Sequence, residues 1–323
     1  MQAWRVYENG EPSEVMRLQE VERPTPADGQ VLLRVRAAAV NFPDALLCRG
    51  QYQVRPSLPL TPGLEVCAET EDGRRVIANP ALPYGGYADY AVADAAVVLP
   101  APEALDDVEA AALHIGYQTG WFGLHRRAAL EPGETLLVHA AAGGVGSAAV
   151  QLGKAAGATV IGVVGGADKA AVARASGCDV VIDRRAEDVV AAVKEATGGR
   201  GVDVVYDPVG GAAYTQSTKV VAFEGRIVVV GFASGSVPSP ALNHALVKNY
   251  SILGLHWGPY LAKNPKLVQH CHEQLTELAA RGAVKPLVSE RVPLADAANA
   301  VQRVADGTTT GRIAVLPENG DAV

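Results

Sequence analysis

The sequence predicts an α/β protein in which a doubly wound parallel sheet is inserted into a β-rich domain. In residues 134–165 an apolar run, a turn of small residues, a helical pattern and a second apolar run follow one another. Strands and helices keep alternating after this segment, which is typical of a parallel sheet covered by helices. Residues 1–100 instead show short strands broken by Gly and Pro, which indicates a β-rich, coiled region.

The segment 134–165 carries the strongest signal. Its apolar residues 136–138 predict a buried strand, the pattern over 145–156 predicts a helix, and 159–164 predict a second strand. The turn between them reads AxGxxG, with Ala141, Gly143 and Gly146 at the fixed positions. Glycine there lets the backbone approach a pyrophosphate and lets the helix pack close to the strand. The free N–H groups at the start of the helix favour phosphate, so the segment predicts a bound dinucleotide.

The remaining elements follow from the same patterns. We expect a nucleotide domain at about 123–260, between the two parts, 1–122 and 261–323, of a substrate domain. Strands are predicted at 31–40, 64–70, 75–78, 87–92, 180–183, 202–207, 226–231, 251–255, 287–292 and 312–316, and helical segments at 106–130, 167–176, 186–196, 214–221, 265–281 and 294–305.

Composition excludes several classes of function. The net charge of −7 and the absence of a long basic run argue against a nucleic-acid or anionic-membrane partner. No apolar run approaches the roughly 18 residues of a membrane helix, and the N-terminus lacks the apolar block of a signal peptide. The four cysteines are scattered without a CxxC pair. We therefore expect a reduced, cytoplasmic protein.

Five ordered motifs carry a family resemblance that spans essentially the whole chain. They read AVNFPDALLCRGQY, LPLTPGLEV, GGYADYAV, AAAGGVG and VVVGFASG. Together they resemble the medium-chain dehydrogenase/reductase superfamily, and within it the zinc-independent quinone oxidoreductase (zeta-crystallin-like) branch. The resemblance implies a GroES-like catalytic domain, a Rossmann domain, NADPH as the cofactor, and a homodimer joined through the edges of the nucleotide-binding sheets.

The residue types at the expected metal positions predict that no zinc is bound. Alignment of the motifs with the zinc-dependent alcohol dehydrogenases of this superfamily places Asn41, Leu64 and Ile115 where those enzymes hold zinc. Leu and Ile have no lone pair to donate, and zinc needs three protein ligands from Cys, His or carboxylate. The neighbours His270, Cys271 and His272 do not form a site either, because adjacent residues on a helix point in different directions.

The end of the second strand predicts NADPH rather than NADH. An NAD-preferring domain carries Asp or Glu there, for the ribose hydroxyl, whereas this chain has Gly165 and Gly166, which leave room for a 2′-phosphate. By the resemblance, Lys169 and Arg184 hold that phosphate, with Arg184 at the place of the usual tyrosine. A guanidinium donates two parallel hydrogen bonds to phosphate. Asp168 is the competing candidate, as an acidic ribose ligand displaced by a few residues.

The resemblance also implies the rest of the cofactor cleft. Thr119 is expected to face the nicotinamide. Residues expected to line the pyrophosphate or the carboxyl edge of the sheet are Ala142, Gly143, Gly144, Val145, Val209, Gly210, Gly231 and Phe232.

Without a metal ion, the reaction needs an acceptor that is already electron-poor, such as a quinone or an α,β-unsaturated carbonyl. Hydrogen-bond donors then stabilise the charge that develops on the acceptor oxygen. By the resemblance, Asn41, Asp44 and Tyr52 approach the nicotinamide. Tyr52 is the candidate donor to the acceptor, Asn41 is expected to orient the nicotinamide ribose or the substrate oxygen, and Asp44 is expected to hold the loop.

Two other functions remain open at this point. An enoyl-thioester reductase acting on acyl-CoA or an acyl-carrier protein uses the same hydride chemistry, with Arg49 and Arg55 as cations at the mouth of the site. A low-turnover, NADPH-binding structural or regulatory protein is the third interpretation. Turnover of crotonyl-CoA against a benzoquinone, or tight NADPH binding without oxidation, separates these functions.

Overall fold

The structure is a computed structural model that describes residues 1–317. The chain forms two compact units. Among the described residues, the first unit contains Met1–Ile115, Asn264–Ala280 and residues 285–317, and the second unit contains Gly116–Lys263 and Arg281–Val284. In the part of the chain that is described, no helix has the length and apolar character needed to cross a membrane.

The N-terminal part of the chain is mainly strands. In chain order its elements are β1 (Gln2–Val6), α1 (Pro12–Val15), β2 (Met16–Glu20), β3 (Gln30–Ala39), α2 (Phe42–Cys48), β4 (Val66–Thr70), β5 (Arg75–Ala78), β6 (Tyr90–Asp94), β7 (Leu99–Pro100) and α3 (Asp107–Trp121). A π-helical turn, Phe122–Arg127, extends α3.

Strands and helices then alternate. The elements are β8 (Thr135–His139), α4 (Gly144–Ala155), β9 (Thr159–Val164), α5 (Ala167–Ala175), β10 (Val180–Asp183), α6 (Val189–Ala196), β11 (Val202–Asp207), α7 (Gly211–Val220), β12 (Val221–Val229), α8 (Leu242–Lys248), β13 (Ser251–Gly254) and α9 (Pro259–Lys263). The chain closes with α10 (Pro265–Ala280), β14 (Val288–Pro293), α11 (Ala297–Ala305) and β15 (Arg312–Leu316).

The second unit contains a six-stranded parallel sheet in the order β10-β9-β8-β11-β12-β13. The order reverses between β8 and β11, because β9 follows on one side of β8 and β11 lies on the other. In open α/β sheets this switch point, at the carboxyl ends of the strands, is where ligands bind. The predicted doubly wound sheet is therefore confirmed.

The first unit contains a seven-stranded sheet in the order β14-β15-β3-β4-β5-β7, with β6 also paired to β3. The C-terminal strand β15 pairs antiparallel with β3, with Ala314 opposite Ala39. Residues from both ends of the chain thus share one core, in which Leu33 and Val315 are fully buried. This pairing explains why the first unit contains segments from both ends of the chain.

Several element bounds agree with the sequence patterns, and others differ for physical reasons. The strands predicted at 159–164, 180–183, 202–207 and 312–316 have those bounds. The hairpin of β1 and β2 was not predicted, because β2 buries a single residue and shows no apolar alternation. Helix α8 was not predicted either, because its seven residues are too few for a helical period to stand out in the sequence.

The helix predicted over 106–130 is regular only as far as Trp121. It continues as a π-helical turn in which the N–H of Ala128 bonds the carbonyl of Gly123 at 3.0 Å. At Gly123 a Cβ would lie 2.9 Å from the ring of Tyr206 on β11. The widened turn brings Phe122 and Leu124 into the core together, and both are fully buried.

The turn from β8 to α4 contains two unusual backbone features. Ala140 has a φ of 51°, a left-handed conformation that is uncommon for a residue with a side chain. At Gly146 a Cβ would lie 2.1 Å from the carbonyl oxygen of Ala140, which no rotamer change relieves. Gly143, the residue before α4, is less crowded, since its Cβ would lie 3.3 Å from the same oxygen.

We expect Gly146→Ala to lower the free energy of unfolding by about 2 kcal/mol or more, because the methyl group overpacks a backbone contact. Gly143→Ala is the matched control. Its φ of −89° suits alanine, so its effect should stay below about 1 kcal/mol. Urea unfolding of the cofactor-free protein measures both, and equal losses in the two variants would contradict the packing argument.

Candidate functional site

The turn after β8 presents free backbone donors. The N–H groups of Gly144, Val145 and Gly146 begin α4 and have no acceptor among the described residues, whereas the N–H of Ser147 bonds Gly143 at 2.8 Å. Gly143 and Gly144 are half-buried, so the backbone is open to a ligand. Unpaired N–H groups at the start of a helix attract phosphate. The turn therefore fits a pyrophosphate.

Two glycines follow β9, and cations lie against them. A Cβ at Gly165 would be 3.0 Å from an Nη of Arg184, and one at Gly166 would be 3.3 Å from an Nη of Arg185. Burial, followed by the charges of Arg185 and Arg184, lowers the pKa of Lys169. The structure thus brings three cations together at the carboxyl end of the second strand of the parallel sheet. Such a cluster fits a phosphate.

The carboxylate of Asp183, which faces the arginines of this cluster, is used by the backbone. Asp183 accepts the N–H groups of Gly166 at 2.8 Å and Arg185 at 3.0 Å. These bonds, and then the charges of the two arginines, lower the pKa of Asp183. Asp168, the competing ribose ligand, lies exposed in the first turn of α5. The carboxylate of Asp183 thus shapes the turn that presents the glycines.

The loops after β11 and β12 form one rim at the same edge of the sheet. The carboxylate of Asp207 accepts the N–H groups of Val209 at 2.8 Å and Gly210 at 2.9 Å. The next loop is bonded to this one, because Ala233 donates to Pro208 and Ser234 donates to Val209. Residues of the rim expected at the cofactor are Val209, Gly210, Gly231 and Phe232, and the structure brings them together.

Thr119 lies in a part of α3 whose neighbouring residues are hydrogen-bonded to other elements. Its neighbour Gln118 accepts the indole N–H of Trp257 at 3.2 Å, and Tyr117 donates to Gln151 of α4 at 2.7 Å. Trp257 is buried, which makes it a packing residue. These bonds fix the part of α3 that carries Thr119 against the other elements of the second unit.

Two buried histidines are bonded to polar side chains within the core. Nε2 of His114 lies 2.6 Å from the side-chain oxygen of Asn79, and Nε2 of His139 lies 2.8 Å from the hydroxyl of Ser217. Burial lowers the pKa of His114 to about 3, with a smaller contribution from His272. His114 is therefore neutral at physiological pH.

In the first unit, Asn41 and Asp44 are held by buried partners. Asp44 is fully buried, and its carboxylate accepts the N–H of Asn41 at 2.8 Å, the N–H of Gly63 at 3.1 Å and the hydroxyl of Tyr87 at 2.7 Å. Burial raises the pKa of Asp44 to about 6, against these bonds and the charge of Arg312. Asp44 thus anchors the start of α2.

The side-chain amide of Asn41 is engaged at both ends. Its nitrogen donates to Glu65 at 2.9 Å, and its oxygen accepts from Arg312 at 2.9 Å. Glu65 also accepts the N–H of Ile115 at 2.6 Å and a hydrogen bond from the other Nη of Arg312. The positions aligned with zinc ligands therefore surround a carboxylate bonded to a guanidinium. Within residues 1–317, no group of three His, Cys, Asp or Glu residues could hold a metal ion.

The sequence patterns did not reveal Glu65 and Arg312. A charged residue inside each of two apolar runs, GLEV and GRIAVL, was the available signal, because such residues are rarely buried without a partner. The two residues are separated by 247 positions. Their pairing depends on β15 joining the N-terminal sheet.

Tyr52 lies half-buried in the loop after α2. Burial and then the charge of Asp44 raise its pKa, so the hydroxyl stays protonated at physiological pH. No hydrogen-bond partner of this hydroxyl occurs in the described chain. Arg49, at the start of the loop, instead binds the carboxylate of Glu11 with two bonds of 2.9 and 2.6 Å. The loop therefore offers a free donor at Tyr52 and a neutralised cation at Arg49.

Two family models match the chain. The alcohol dehydrogenase GroES-like domain matches residues 27–103, and the zinc-binding dehydrogenase model matches residues 144–273. The quinone oxidoreductase-like protein 2 of Bos taurus is 35% identical over 315 residues, which cover 93% of this chain and 90% of that protein. The quinone oxidoreductase of Homo sapiens is 30% identical, with 98% of both chains covered.

Solved structures agree with these matches. The quinone oxidoreductase of Escherichia coli complexed with NADPH is 31% identical, with a TM-score of 0.90 over 98% of this chain and 100% of that one. The quinone oxidoreductase of Thermus thermophilus, also solved as its complex with NADPH, is 33% identical with a TM-score of 0.87 and the same coverage. The GroES-like and parallel-sheet architecture is shared along the full length, and the chain belongs to the quinone oxidoreductase family of the medium-chain dehydrogenases/reductases.

Proposed function

We propose that the protein transfers a hydride from NADPH to a quinone or an α,β-unsaturated carbonyl, without a metal ion. The observation that carries this proposal is the cluster of Lys169, Arg184 and Arg185 around two glycines at the end of β9. An NAD-preferring enzyme places a carboxylate there. The relatives solved in complex with NADPH support the same cofactor.

The residues present fit NADPH. The N–H groups of Gly144, Val145 and Gly146 would bind the pyrophosphate, and the guanidinium of Arg184, which lies beside Gly165, would bind the 2′-phosphate. Ala142 and Gly143 precede these donors in the turn. Thr119 and the rim formed by Val209, Gly210, Gly231 and Phe232 bind the nicotinamide half. Bound NADPH supplies the hydride, so the protein has to orient the acceptor and deliver a proton.

Tyr52 is the proposed hydrogen-bond donor to the acceptor oxygen. Its hydroxyl is protonated and free of a partner in the described chain, and a donor aimed at developing charge lowers the barrier. A quinone then takes the hydride and one proton, and leaves as the hydroquinone. Asn41 and Asp44, expected near the nicotinamide, act as positioning residues, because their polar atoms are already bonded to buried partners.

Zinc does not fit the aligned positions. Leu64 and Ile115 offer no donor atom in their side chains, and the amide of Asn41 is bonded at both ends. The acceptor must therefore be activated by conjugation and by hydrogen bonds. Quinones and enones meet this requirement, since the hydride goes to a carbon conjugated with the oxygen that gains charge.

The enoyl-thioester interpretation loses its main support. Arg49 was one of two cations proposed for an acyl-CoA or acyl-carrier substrate, and it is paired with the carboxylate of Glu11 through two bonds. A charge neutralised in this way attracts a phosphate weakly. Arg55 remains as a single exposed cation. A low-turnover binding protein is likewise not favoured, because the loop after α2 keeps a free donor at Tyr52 for an acceptor.

We also propose that the protein is a cytoplasmic homodimer that pairs through β13. This strand ends the parallel sheet. Beside it in sequence, α8 exposes Leu242 and Leu246, with 70% and 77% of their surfaces accessible. An open strand edge next to exposed apolar side chains favours pairing of two subunits.

The four cysteines are free, as expected in a reducing compartment such as the cytoplasm. Light scattering at the monomer mass of 33.5 kDa would contradict the dimer.

The activity is tested by NADPH oxidation with 9,10-phenanthrenequinone, 1,4-benzoquinone, an enone and crotonyl-CoA, each with and without a chelator. We expect quinones or enones to be reduced fastest, with rates unchanged by the chelator, because no step uses a metal ion. Faster turnover of crotonyl-CoA would support the thioester reductase, and loss of activity with chelator would exclude metal-independent catalysis.

Lys169→Ala should raise the KM for NADPH about tenfold, since a hydrogen bond to a charged group is worth about 1.5–3 kcal/mol. The KM for NADH, which lacks the 2′-phosphate, should stay within about twofold of its original value. Arg174→Ala removes the same charge from the same helix and serves as the control. Steady-state kinetics with both cofactors measures the effect. Equal changes for NADPH and NADH would refute a phosphate contact at Lys169.

Tyr52→Phe should lower kcat about tenfold to a hundredfold and leave the KM for NADPH unchanged, because it removes a donor to the acceptor without disturbing the cofactor turn. Tyr7→Phe is the control, since Tyr7 is exposed and bonds Gln19. Initial rates at saturating NADPH measure the effect. A wild-type kcat in Tyr52→Phe would mean that another group, or solvent, supplies the proton.

A further inference from the structure

A buried cluster of charges joins four segments of the first unit. Arg312, at the start of β15, donates to Glu65 and to Asn41, and Glu65 accepts the N–H of Ile115 on α3. Asn41 donates its own N–H to Asp44, one turn into α2. Arg312 is 5% exposed and Glu65 is fully buried. The segments 39–44, 63–65 and 312, together with α3, are thus held by one set of polar contacts.

The cluster contains two carboxylates and one guanidinium. A buried charge is costly unless it is paired and hydrogen-bonded. Glu65 is paired directly with Arg312, whereas Asp44 is supported by three hydrogen bonds and by the nearby charge of Arg312. The other titratable groups facing Asp44 are neutral acids, Tyr87, Tyr52 and Cys48, whose pKa values are raised by burial and by the charge of Asp44.

The ionised form of Asp44 matters for geometry. Its two oxygens accept from three donors, on Asn41, Gly63 and Tyr87. A protonated carboxyl has lost its negative charge, so its bonds to the N–H groups of Asn41 and Gly63 weaken. Its own O–H can be accepted only by the hydroxyl of Tyr87, which then no longer donates. Protonation therefore loosens the start of α2.

The loop with Tyr52 depends on α2. The N–H of Gln51 bonds the carbonyl of Leu46 at 2.8 Å, and the N–H of Gly50 bonds that of Leu47 at 3.1 Å. Tyr52 follows directly. A shift at the start of α2 is thus passed along a short helix and two backbone bonds to the tyrosine hydroxyl.

We propose that Arg312 is a positioning residue for the reaction, which keeps the buried Asp44 carboxylate bound to all three of its donors and so holds α2 and Tyr52 in place. This inference rests on the proposed function, in which Tyr52 serves the acceptor. Arg312 acts without touching the cofactor or the substrate. Its effect on rate should follow the ionisation of Asp44, whereas a purely structural role would not change with pH in this way.

The test is the pH dependence of kcat with a quinone from pH 5 to 9. The wild-type rate should fall below pH 6, where Asp44 gains a proton. Removal of the positive charge in Arg312→Met raises the pKa of Asp44, so the fall begins at higher pH. A rise of about one pH unit in the pKa of Asp44 lowers the rate at pH 6.5 about threefold relative to wild type and leaves the rate at pH 8 nearly unchanged. Arg312→Lys keeps the charge and should restore the wild-type profile.

Arg303→Met is the matched control. It also removes an arginine paired with a carboxylate, Glu290, but at the surface, and it should leave the profile unchanged. If Arg312→Met does not fold, Arg312→Gln, which keeps hydrogen-bonding groups in the buried cluster, removes the same positive charge and should shift the profile in the same direction. An unshifted profile in the folded Arg312→Met or Arg312→Gln variant, or an equal shift in Arg303→Met, overturns the proposal.

A second measurement does not depend on activity. The carboxyl carbon of Asp44, assigned by its loss in Asp44→Asn, is titrated by ¹³C NMR in the wild-type protein. A midpoint near pH 6 supports the proposal, and one near the ordinary pKa of 3.8 overturns it. Should no acceptor be reduced by the wild-type enzyme, the proposed function fails, and this titration, repeated in Arg312→Met, still decides whether Arg312 and Asp44 are coupled.

Discussion

The close approach of α4 to the end of β8 is the constraint on which the cofactor edge depends. The carbonyl of Ala140 lies where a side chain at position 146 would be, and Ala140 itself has a left-handed backbone conformation. This approach sets the direction of the first N–H groups of α4. Because β8 lies at the switch point of the sheet, the glycines after β9 and the Asp207 turn after β11 flank the same backbone donors.

At two places in this protein, an arginine side chain occupies a position that the surrounding backbone leaves open to it. Gly165 and Gly166, which follow β9, have no side chains. Arg184 and Arg185, which follow β10, occupy the space beside them. In the first unit the buried guanidinium of Arg312 binds two oxygens from different segments. In both places an arginine is used, whose planar group can contact two partners at fixed angles.

The sequence predicted the second unit well because its signals are local. The apolar runs of β9, β10 and β11 are short and bounded by turn residues, so their observed limits match the patterns. The requirement for glycine at position 146 could be predicted because a strand, a tight turn and a helix follow one another there, and the helix has to pack close to the strand. The predicted preference for NADPH used the absence of an acid after β9, which is again a local property, whereas the assignment of Lys169 and Arg184 came from the family resemblance.

The first unit was harder to predict because its determining contacts are distant in sequence. Asn41 looked like a residue free to meet a ligand, but its amide is taken by Glu65 and Arg312, and the second of these comes from the far end of the chain. Likewise β2, in the same unit, buries too little apolar surface to produce a periodic pattern. Which polar atoms of a side chain remain free to bind a ligand depends on partners that lie far away in the sequence, so a local pattern cannot reveal them.

The cations after β9 belong to a protein whose net charge is −7. Screening limits electrostatic forces to about 8 Å at physiological ionic strength, so a polyanionic coenzyme in bulk solvent gains little from three local positive charges on an acidic surface. If these cations bind the 2′-phosphate as proposed, their attraction acts once the ligand has docked. Discrimination between the two pyridine nucleotides is then expected in residence time, through slower departure of the phosphorylated form, rather than in the frequency of encounters.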